Sequence, residues 1–161
     1  MLEKINFTIN RDSVTLEVDP EWMLIDVIRE MLDMTGTKRG CDNATCGTCV
    51  VVLNGRAIKS CNTPVKKAAG CEILTVEGLS QGRSLHPVQK AFAESGAVQC
   101  GFCTPGIVME IYALLEKNPN ASHQEIFNAL NKHLCRCTGY EPIRDGALIA
   151  QKLVQERVAS D

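Results

Sequence analysis

Eight of the nine cysteines in this sequence fall into two groups whose spacing suits metal or redox chemistry. The first thiol group has the pattern CxxxxCxxC followed by a more distant cysteine; its members are Cys41, Cys46, Cys49 and Cys61. This spacing holds plant-type [2Fe-2S] clusters, in which a loop aims several thiolates at a compact rhomb of two irons and two sulfides. Gly40 and Gly47 lack Cβ atoms, so the loop's N–H groups can approach the sulfurs there. The pattern therefore predicts a [2Fe-2S] cluster.

The second thiol group combines a CxxC pair with a CxC pair; its members are Cys100, Cys103, Cys135 and Cys137. The CxxC pair stands just before a predicted helix start at Thr104 and Pro105, where unpaired N–H groups and the helix dipole favour negative charge. The CxC pair follows a predicted helix end, and Arg136 would offset its charge. Two helix termini brought together could thus supply four thiolates to a second [2Fe-2S] cluster.

Other uses of these cysteines remain open at this point. Two four-cysteine zinc sites would make the chain a zinc-stabilised binding module, although such sites usually use paired CxxC knuckles. The CxxC pair alone could be a redox pair, but no βαβ context accompanies it. Disulfides are rare where no secretion signal is present, and neither thiol group contains the histidines of a Rieske centre. Cys71 is left over, and we expect it to be a small packed side chain.

The remaining titratable residues give no catalytic pattern. His133 lies near Cys135, and we interpret it as an ordinary helix-end residue in preference to one that tunes a cluster. The acidic side chains show no isolated inward pair, so we expect solvated helix faces and no acid–base catalyst. The residues concerned are Glu110, Glu116, Glu125 and Glu141.

Two different periodicities divide the chain. Apolar residues alternate in the first half, where Asn54-Gly55 also suits a two-residue hairpin turn. The expected elements there are a hairpin over 4–18, a helix over 22–32, a hairpin over 50–58 and a strand over 72–76. Beyond a linker-like stretch at 77–82 the spacing is helical, with a capping box at Ser122 and Glu125. The helices expected there are 87–95, 105–117, 123–132 and 143–158, which suggests a compact bundle.

Composition excludes several classes of function. With 161 residues, 45% of them hydrophobic, the chain is long enough for one ordinary domain or two small ones. A formal net charge of −2 with dispersed Lys and Arg gives no basic stripe for nucleic acid and no polybasic tail for a membrane. No signal peptide opens the sequence, and no apolar run approaches the roughly 20 residues of a membrane span. We therefore expect a cytoplasmic protein that binds neither nucleic acid nor a membrane.

Three motifs together resemble the small iron–sulfur subunit of the molybdenum hydroxylases, the xanthine dehydrogenase and aldehyde oxidase family. They are GCDNATCGTC at 40–49, QCGFCTPG at 99–106 and LCRCTGY at 134–140. The resemblance covers nearly the whole chain. It implies an α+β fold: an N-terminal β-grasp ferredoxin-like domain over 1–77, followed by an all-α four-helix-bundle [2Fe-2S] domain over 84–161. One departure is visible, because Thr45 and Thr48 stand where the family commonly has Glu and Ala.

The resemblance also implies a function. In the family, a large subunit holds molybdopterin, often as a cytosine dinucleotide, and a medium subunit commonly carries FAD. Electrons leave molybdenum through the cluster of the second thiol group, pass to that of the first, and continue to FAD or another acceptor. Gln99 and Cys137 would contact the molybdopterin. The chain would thus be an electron-transfer subunit without a complete active site, in a dimer of heterotrimers. A freestanding two-cluster carrier is the alternative.

Overall fold

The computed structural model describes residues 1–161, which form five strands and five helices. The strands are β1 (Glu3–Ile9), β2 (Asp12–Val18), β3 (Val50–Leu53), β4 (Arg56–Lys59) and β5 (Glu72–Leu74). The helices are α1 (Leu24–Asp26), α2 (Pro87–Glu94), α3 (Thr104–Lys117), α4 (His123–Leu130) and α5 (Glu141–Ser160). All strands lie in the first half of the chain, so the predicted α+β class is confirmed.

The strands form one mixed sheet in the order β2-β1-β5-β3-β4. β1 and β5 run parallel, and the other neighbouring strands are antiparallel. Both predicted hairpins are present. Asn54 and Gly55 turn the second one with φ values of 48° and 78°, which are the positive angles that a two-residue turn requires. Asn10 and Arg11 turn the first one in the same way, at 49° and 78°.

The two faces of the sheet are covered by different elements. Because side chains alternate along a strand, Val51 points to the face that packs on α1, whereas Val50 and Val52 point to the opposite face. That opposite face packs against α3, so these two valines share a core with the helices. Leu79, in the stretch expected to be a linker, is also buried in this core. β3 therefore contributes side chains to both hydrophobic cores.

The helix predicted over 22–32 is shorter than expected. Met23 is extended and pairs with Pro64 in an isolated bridge, so the helix starts only at Leu24. After one α-helical turn it continues as a π-helical segment, Val27–Met31. The strand predicted over 72–76 also ends early, because the N–H group of Thr75 donates to the Asn10 side chain at 2.9 Å. In both places tertiary contacts override the local pattern.

The helical half follows the sequence prediction closely. The four helices begin and end within two residues of the expected positions. The Ser122–Glu125 capping box is confirmed, since the Glu125 N–H donates to Ser122 Oγ at 3.2 Å and the Ser122 N–H donates to Glu125 Oε2 at 2.7 Å. α2 packs on α5, and α3 contacts α2, α4 and α5. The finer description as a four-helix bundle stays a prediction. No helix has an apolar stretch that could cross a bilayer.

Candidate functional site

The β3–β4 hairpin brings the distant member of the first thiol group to the other three. Cys49 directly precedes β3 and Cys61 follows β4, so the antiparallel pairing places them side by side at one end of the hairpin. Ser60 reinforces this arrangement, because its hydroxyl donates to the Cys49 carbonyl at 2.6 Å. Cys46, Cys49 and Cys61 are buried, with exposures of 8%, 1% and 4%, and Cys41 is half-buried.

The loop around the first thiol group is shaped by left-handed residues. Ala44 and Gly47 have φ values of 61° and 78°. This path lets the Cys46 N–H donate to Cys41 Sγ at 3.4 Å. A Cβ atom at Gly40 would lie 2.9 Å from Cys46 Sγ, so the close approach expected there is confirmed.

The thiols of the first group differ in how readily they ionise. The Cys46 N–H lowers the pKa of Cys41 to about 6, with help from Asn43 and Thr45. Burial raises the pKa of Cys61 to about 12, and neighbouring Cys49 adds to this. Ionising all of these thiols together needs compensating positive charge. A [2Fe-2S] cluster, with iron ions bound by four thiolates, supplies charge of that sign, so the donor set fits it.

The second thiol group joins two helix termini. Cys103 is the residue before the first turn of α3, whereas Cys135 and Cys137 lie between α4 and α5. The Sγ atom of Cys137 is 3.6 Å from that of Cys100 and 3.9 Å from that of Cys135. Cys100 and Cys137 are exposed, but Cys103 is buried. Gln99 is exposed next to Cys100. This thiol group therefore opens at the molecular surface, in contrast to the first.

Tyr140 and Thr138 hold the CxC pair in place. Tyr140 has a φ of 72°, and its hydroxyl accepts the Cys135 N–H at 2.9 Å. Thr138 Oγ1 lies 2.9 Å from Cys135 Sγ. Burial would raise the pKa of Cys135, but hydrogen bonds from Thr138 outweigh it and lower the pKa to about 7. Burial raises the pKa of Cys103 to about 12, and the neighbouring thiols add to this. Like the first group, the second thus contains a thiol with a lowered pKa and a buried thiol with a raised pKa.

One cavity connects the two thiol groups. It has a volume of about 490 Å³ and is lined by all four thiols of the second group together with Gly40, Cys46, Thr48 and Phe102. The Phe102 ring reaches across towards the first group, because a Cβ atom at Gly40 would lie 3.2 Å from its Cε1 atom. The structure therefore brings one thiol of the first group, Cys46, to the same space as all four thiols of the second.

His133 occupies a position that the sequence did not reveal. It is 2% exposed and packs against Gly47, where a Cβ atom would lie 2.9 Å from His133 Cε1. Neither ring nitrogen has a hydrogen-bond partner, although Nε2 is 3.6 Å from Glu110 Oε2. The N–H of the next residue, Leu134, donates to the Cys46 carbonyl at 3.0 Å. His133 is thus a buried contact between the loop of the first thiol group and the approach to the second.

The expectation of a solvated carboxylate at Glu110 is wrong. This side chain is one of the buried residues of α3 and accepts a hydrogen bond from Lys132 Nζ at 2.7 Å. Burial would raise the pKa of Glu110, but His133 and Lys132 outweigh it and hold the pKa below its usual value. Its partners lie more than 20 residues along the chain, so no local pattern could have indicated them. The other three glutamates are exposed, as expected: Glu116, Glu125 and Glu141.

The first turn of α3 completes the contact between the two halves. A Cβ atom at Gly106 would lie 2.8 Å from Thr48 Cα, so only glycine allows the helix to approach the backbone of this loop so closely.

Cys71 lies apart from both thiol groups. It is half-buried, and its Sγ donates to the Lys67 carbonyl at 3.5 Å. No three His, Cys, Asp or Glu side chains are arranged to hold one single metal ion.

Models of two protein families match this chain, one for each half. The first, described as "2Fe-2S iron-sulfur cluster binding domain", matches residues 7–75. The second, described as "[2Fe-2S] binding domain", matches residues 75–148.

Individual proteins match over nearly the whole chain. The chain is 42% identical to the nicotine 6-hydroxylase small subunit of Paenarthrobacter nicotinovorans, over 91% of this chain and 88% of that one. It is 40% identical to the aldehyde oxidoreductase of Megalodesulfovibrio gigas, over 96% of this chain but 17% of that protein. In the crystal structure of quinoline 2-oxidoreductase from Pseudomonas putida 86, one chain superposes with a TM-score of 0.90 at 39% identity, with 96% of this chain and 97% of that chain covered. The chain thus spans most of some relatives and about a sixth or less of others.

Proposed function

Because the chain belongs to the small [2Fe-2S] iron–sulfur subunits of the molybdenum hydroxylase family, we propose that it carries two [2Fe-2S] clusters and relays electrons between them. Electrons arrive from a molybdopterin centre and leave to FAD or another acceptor. The first cluster is held by Cys41, Cys46, Cys49 and Cys61. The second is held by Cys100, Cys103, Cys135 and Cys137.

The cavity lined by both thiol groups is the observation that carries this proposal. Electron transfer between two centres requires them to be close, and here Cys46 of the first group and all four thiols of the second line one space. Apart from the thiols, the titratable residues that line it are Arg136 and Tyr140, and no carboxylate or histidine lines it. The chain's own contribution is therefore to bind and position the two clusters, not to transform a substrate.

The exposure of the second thiol group supports a direction for the electrons. Cys100, Cys137 and Gln99 are all exposed, so a partner can approach the second cluster directly, whereas three of the four thiols of the first group are buried. We propose that Gln99 and Cys137 contact a molybdopterin, as a cytosine dinucleotide, on a large partner subunit. When bound there, the molybdenum centre supplies substrate oxidation, which this chain cannot perform alone.

Apolar side chains around the second thiol group favour a subunit over a freestanding carrier. Val98, Phe102 and Leu134 are 45%, 45% and 58% exposed and surround this group in sequence. Apolar surface of this kind indicates a protein interface. We propose that the large subunit covers it, that a medium FAD-binding subunit receives the electrons, and that the assembly is a dimer of heterotrimers. The relative named as a small subunit supports this arrangement.

The decisive experiment is low-temperature electron paramagnetic resonance (EPR) on gently purified, dithionite-reduced protein, together with molybdenum analysis. We expect two distinct [2Fe-2S] signals and a copurifying molybdenum-bearing partner. Two signals from a protein that stays monomeric and free of molybdenum would instead support the freestanding carrier. Bound zinc without any iron signal would contradict the proposal and support the zinc-stabilised module.

A further inference from the structure

The hydroxyl of Thr48 lies against one candidate ligand of the first cluster. Thr48 is 3% exposed, and its Oγ1 atom is 3.2 Å from Cys46 Sγ and 3.1 Å from the Lys38 carbonyl. Gly40 leaves the space for this arrangement, because a Cβ atom there would lie 3.0 Å from the hydroxyl oxygen. The hydroxyl is thus enclosed, with two acceptors within reach of its single proton.

The binding of iron changes which acceptor the hydroxyl prefers. A free Cys46 thiol can itself donate to Thr48, whose proton then goes to the Lys38 carbonyl. An iron-bound thiolate has no proton to donate, and its negative charge makes it a stronger acceptor than a neutral carbonyl. With the cluster present, the Thr48 proton therefore turns towards the sulfur.

The backbone cannot move this hydroxyl away from the sulfur. The Lys38 N–H donates to the Thr48 carbonyl at 3.3 Å, and the first turn of α3 packs on Thr48 Cα at Gly106. Thr48 and Cys46 also line the cavity that contains the thiols of the second group. The contact is therefore fixed on the side of the first cluster that faces the second.

We propose that Thr48 acts through Cys46 to raise the reduction potential of the first cluster, making it a better acceptor for the electron held by the second. This inference rests on the proposed function. One electron leaves the reduced second cluster and reduces one ferric iron of the first, with no bond broken and no proton transferred. The added negative charge spreads onto the sulfurs, so a hydrogen bond to sulfur stabilises the reduced form more than the oxidised form. The alanine that is common at this position in the family has no hydroxyl to donate, so members with alanine lack this contact.

Three substitutions in the full complex separate the hydroxyl from the bulk of the side chain. Thr48→Val keeps the shape and removes the hydroxyl, Thr48→Ala removes both, and Thr48→Ser keeps the hydroxyl. EPR spectra recorded at a series of poised potentials give the reduction potential of each cluster. The signal of the second cluster is identified as the one that Cys137→Ser removes, and it serves as an internal reference.

We expect Thr48→Val and Thr48→Ala to shift the first cluster to a more negative potential and to leave the second unchanged. Thr48→Ser should stay near the wild type. Thr37→Val is a matched control, because Thr37 is equally buried, at 2% exposed, in the same loop and its hydroxyl contacts no thiol. A potential that is unchanged in both Thr48→Val and Thr48→Ala, or shifted equally in Thr48→Ser, would overturn the proposal.

Vibrational spectroscopy tests the hydrogen bond directly. In the wild type, exchange into D₂O should shift an Fe–S stretching band of the first cluster, and Thr48→Val should lose the part of the shift due to this hydroxyl. If Thr48→Val fails to assemble the first cluster, the reduction potential and the D₂O shift of the Fe–S band are measured in Thr48→Ala instead, whose side chain is smaller. Absence of both iron signals in the wild type would refute the proposed function itself, an outcome distinct from an unshifted potential.

Discussion

At the scale of single residues, each thiol group combines a readily ionised thiol with a buried one that resists ionisation, and in the second group the pKa of Cys137 is raised as well. The pKa of Cys41 is lowered to about 6 and that of Cys135 to about 7, whereas burial raises the pKa of Cys61 and Cys103 to about 12. Thiolates are the species that bind metal. The buried thiols therefore need the positive charge of a bound cluster in order to ionise.

The assignment of Cys137 can be tested by a conservative change. Cys137→Ser should remove one of the two [2Fe-2S] signals and stop electron transfer, because an exposed ligand of the second cluster is lost. The signal of the first cluster should remain, since the first 75 or so residues have their own core. EPR spectra and turnover with the partner subunits measure both effects. Cys71→Ala is the control and should cost about 1 kcal/mol of unfolding free energy. Normal turnover in Cys137→Ser would contradict the ligand set.

Glu110 is expected to matter for stability although it is remote from solvent and from any substrate. Glu110→Ala removes the carboxylate that lies 3.6 Å from His133 Nε2 and deprives Lys132 of its ion pair. We expect the free energy of unfolding to fall by about 2 kcal/mol, less than for a fully buried pair because Lys132 is largely exposed. Chemical denaturation measures this, with Glu156→Ala on the exposed face of α5 as the control. Equal effects of the two changes would argue against a role for the buried contact.

At the scale of elements, the site depends on α3 and on the segment Lys132 to Leu134, which both touch the loop of the first thiol group. The segment reaches Gly47 through His133 and the Cys46 carbonyl through the Leu134 N–H. α3 reaches the same loop at Gly106. These contacts set the separation of the two candidate cluster sites, so a change in them should alter the relay without removing a ligand.

Gly106→Ala tests this dependence. Alanine favours a helix over glycine by about 1 kcal/mol, so a loss of stability must come from the contact with Thr48. We expect the halves to be pushed apart, which weakens the magnetic interaction between the two reduced clusters in EPR spectra. Gly146→Ala in α5 is the matched control, since the new Cβ atom would be crowded only by the rotatable Ser95 hydroxyl, at 2.7 Å, and would make ordinary contacts at 3.6 Å with Ala97 Cβ and Phe92 Cα. An unchanged interaction in Gly106→Ala would show that this contact does not set the distance.

His86 links three helices and makes their packing dependent on pH. Its Nδ1 atom accepts the Val88 N–H at the start of α2, and Nε2 is 2.9 Å from Arg157 Nη1 in α5. Its ring also packs edge-on against Tyr112 of α3 at 5.1 Å between centroids. Burial, and then the Arg157 charge, lower the pKa of His86 below 6.5. The neutral ring is therefore favoured by folding, and the stability it contributes is present above pH 6.5 and lost as the pH falls below that value.

We therefore expect the free energy of unfolding to decrease between pH 7.5 and pH 5.5, to an extent set by the depressed pKa. His86→Gln should reduce this dependence, because it removes the group that takes up the proton. His123→Gln, at the exposed start of α4, is the matched control and should preserve the wild-type dependence. A pH dependence that is identical in all three proteins would exclude His86 as its source.

The sequence predicted the features whose determinants are close together along the chain. Strand alternation, the Asn54-Gly55 turn, the Ser122–Glu125 cap and the helix start at Thr104 are local, and the structure confirms them. The predicted start of α1 was wrong because Pro64, which is distant in the sequence, pairs with Met23. The burial of Glu110 and His133 was missed for the same reason: both lie where the two halves meet. The candidate ligands could be listed from spacing, but the shared cavity required the fold.

At the scale of the whole molecule, the two thiol groups lie at different depths. Cys100 and Cys137 reach the surface, but Cys46, Cys49 and Cys61 are buried, the last two against Ile25 within the sheet half. β3 contributes to the core on each side of it, so the sheet and the helices pack on a common strand. This continuity explains why the relay does not need a flexible connection, since a single packed body holds both candidate clusters.

The difference in depth also dictates an order of maturation. Cys46, Cys49 and Cys61 are buried in the folded chain, so an iron–sulfur donor can reach the first thiol group only from the side of Cys41, which is half-buried beside the exposed Asp42 and Asn43. We therefore expect the first cluster to be installed more slowly into the folded chain than the second. We expect apoprotein folded without iron to accept the second cluster readily and the first more slowly, which stepwise reconstitution followed by visible circular dichroism would reveal. Installing both clusters at the same rate into the folded apoprotein would contradict this order.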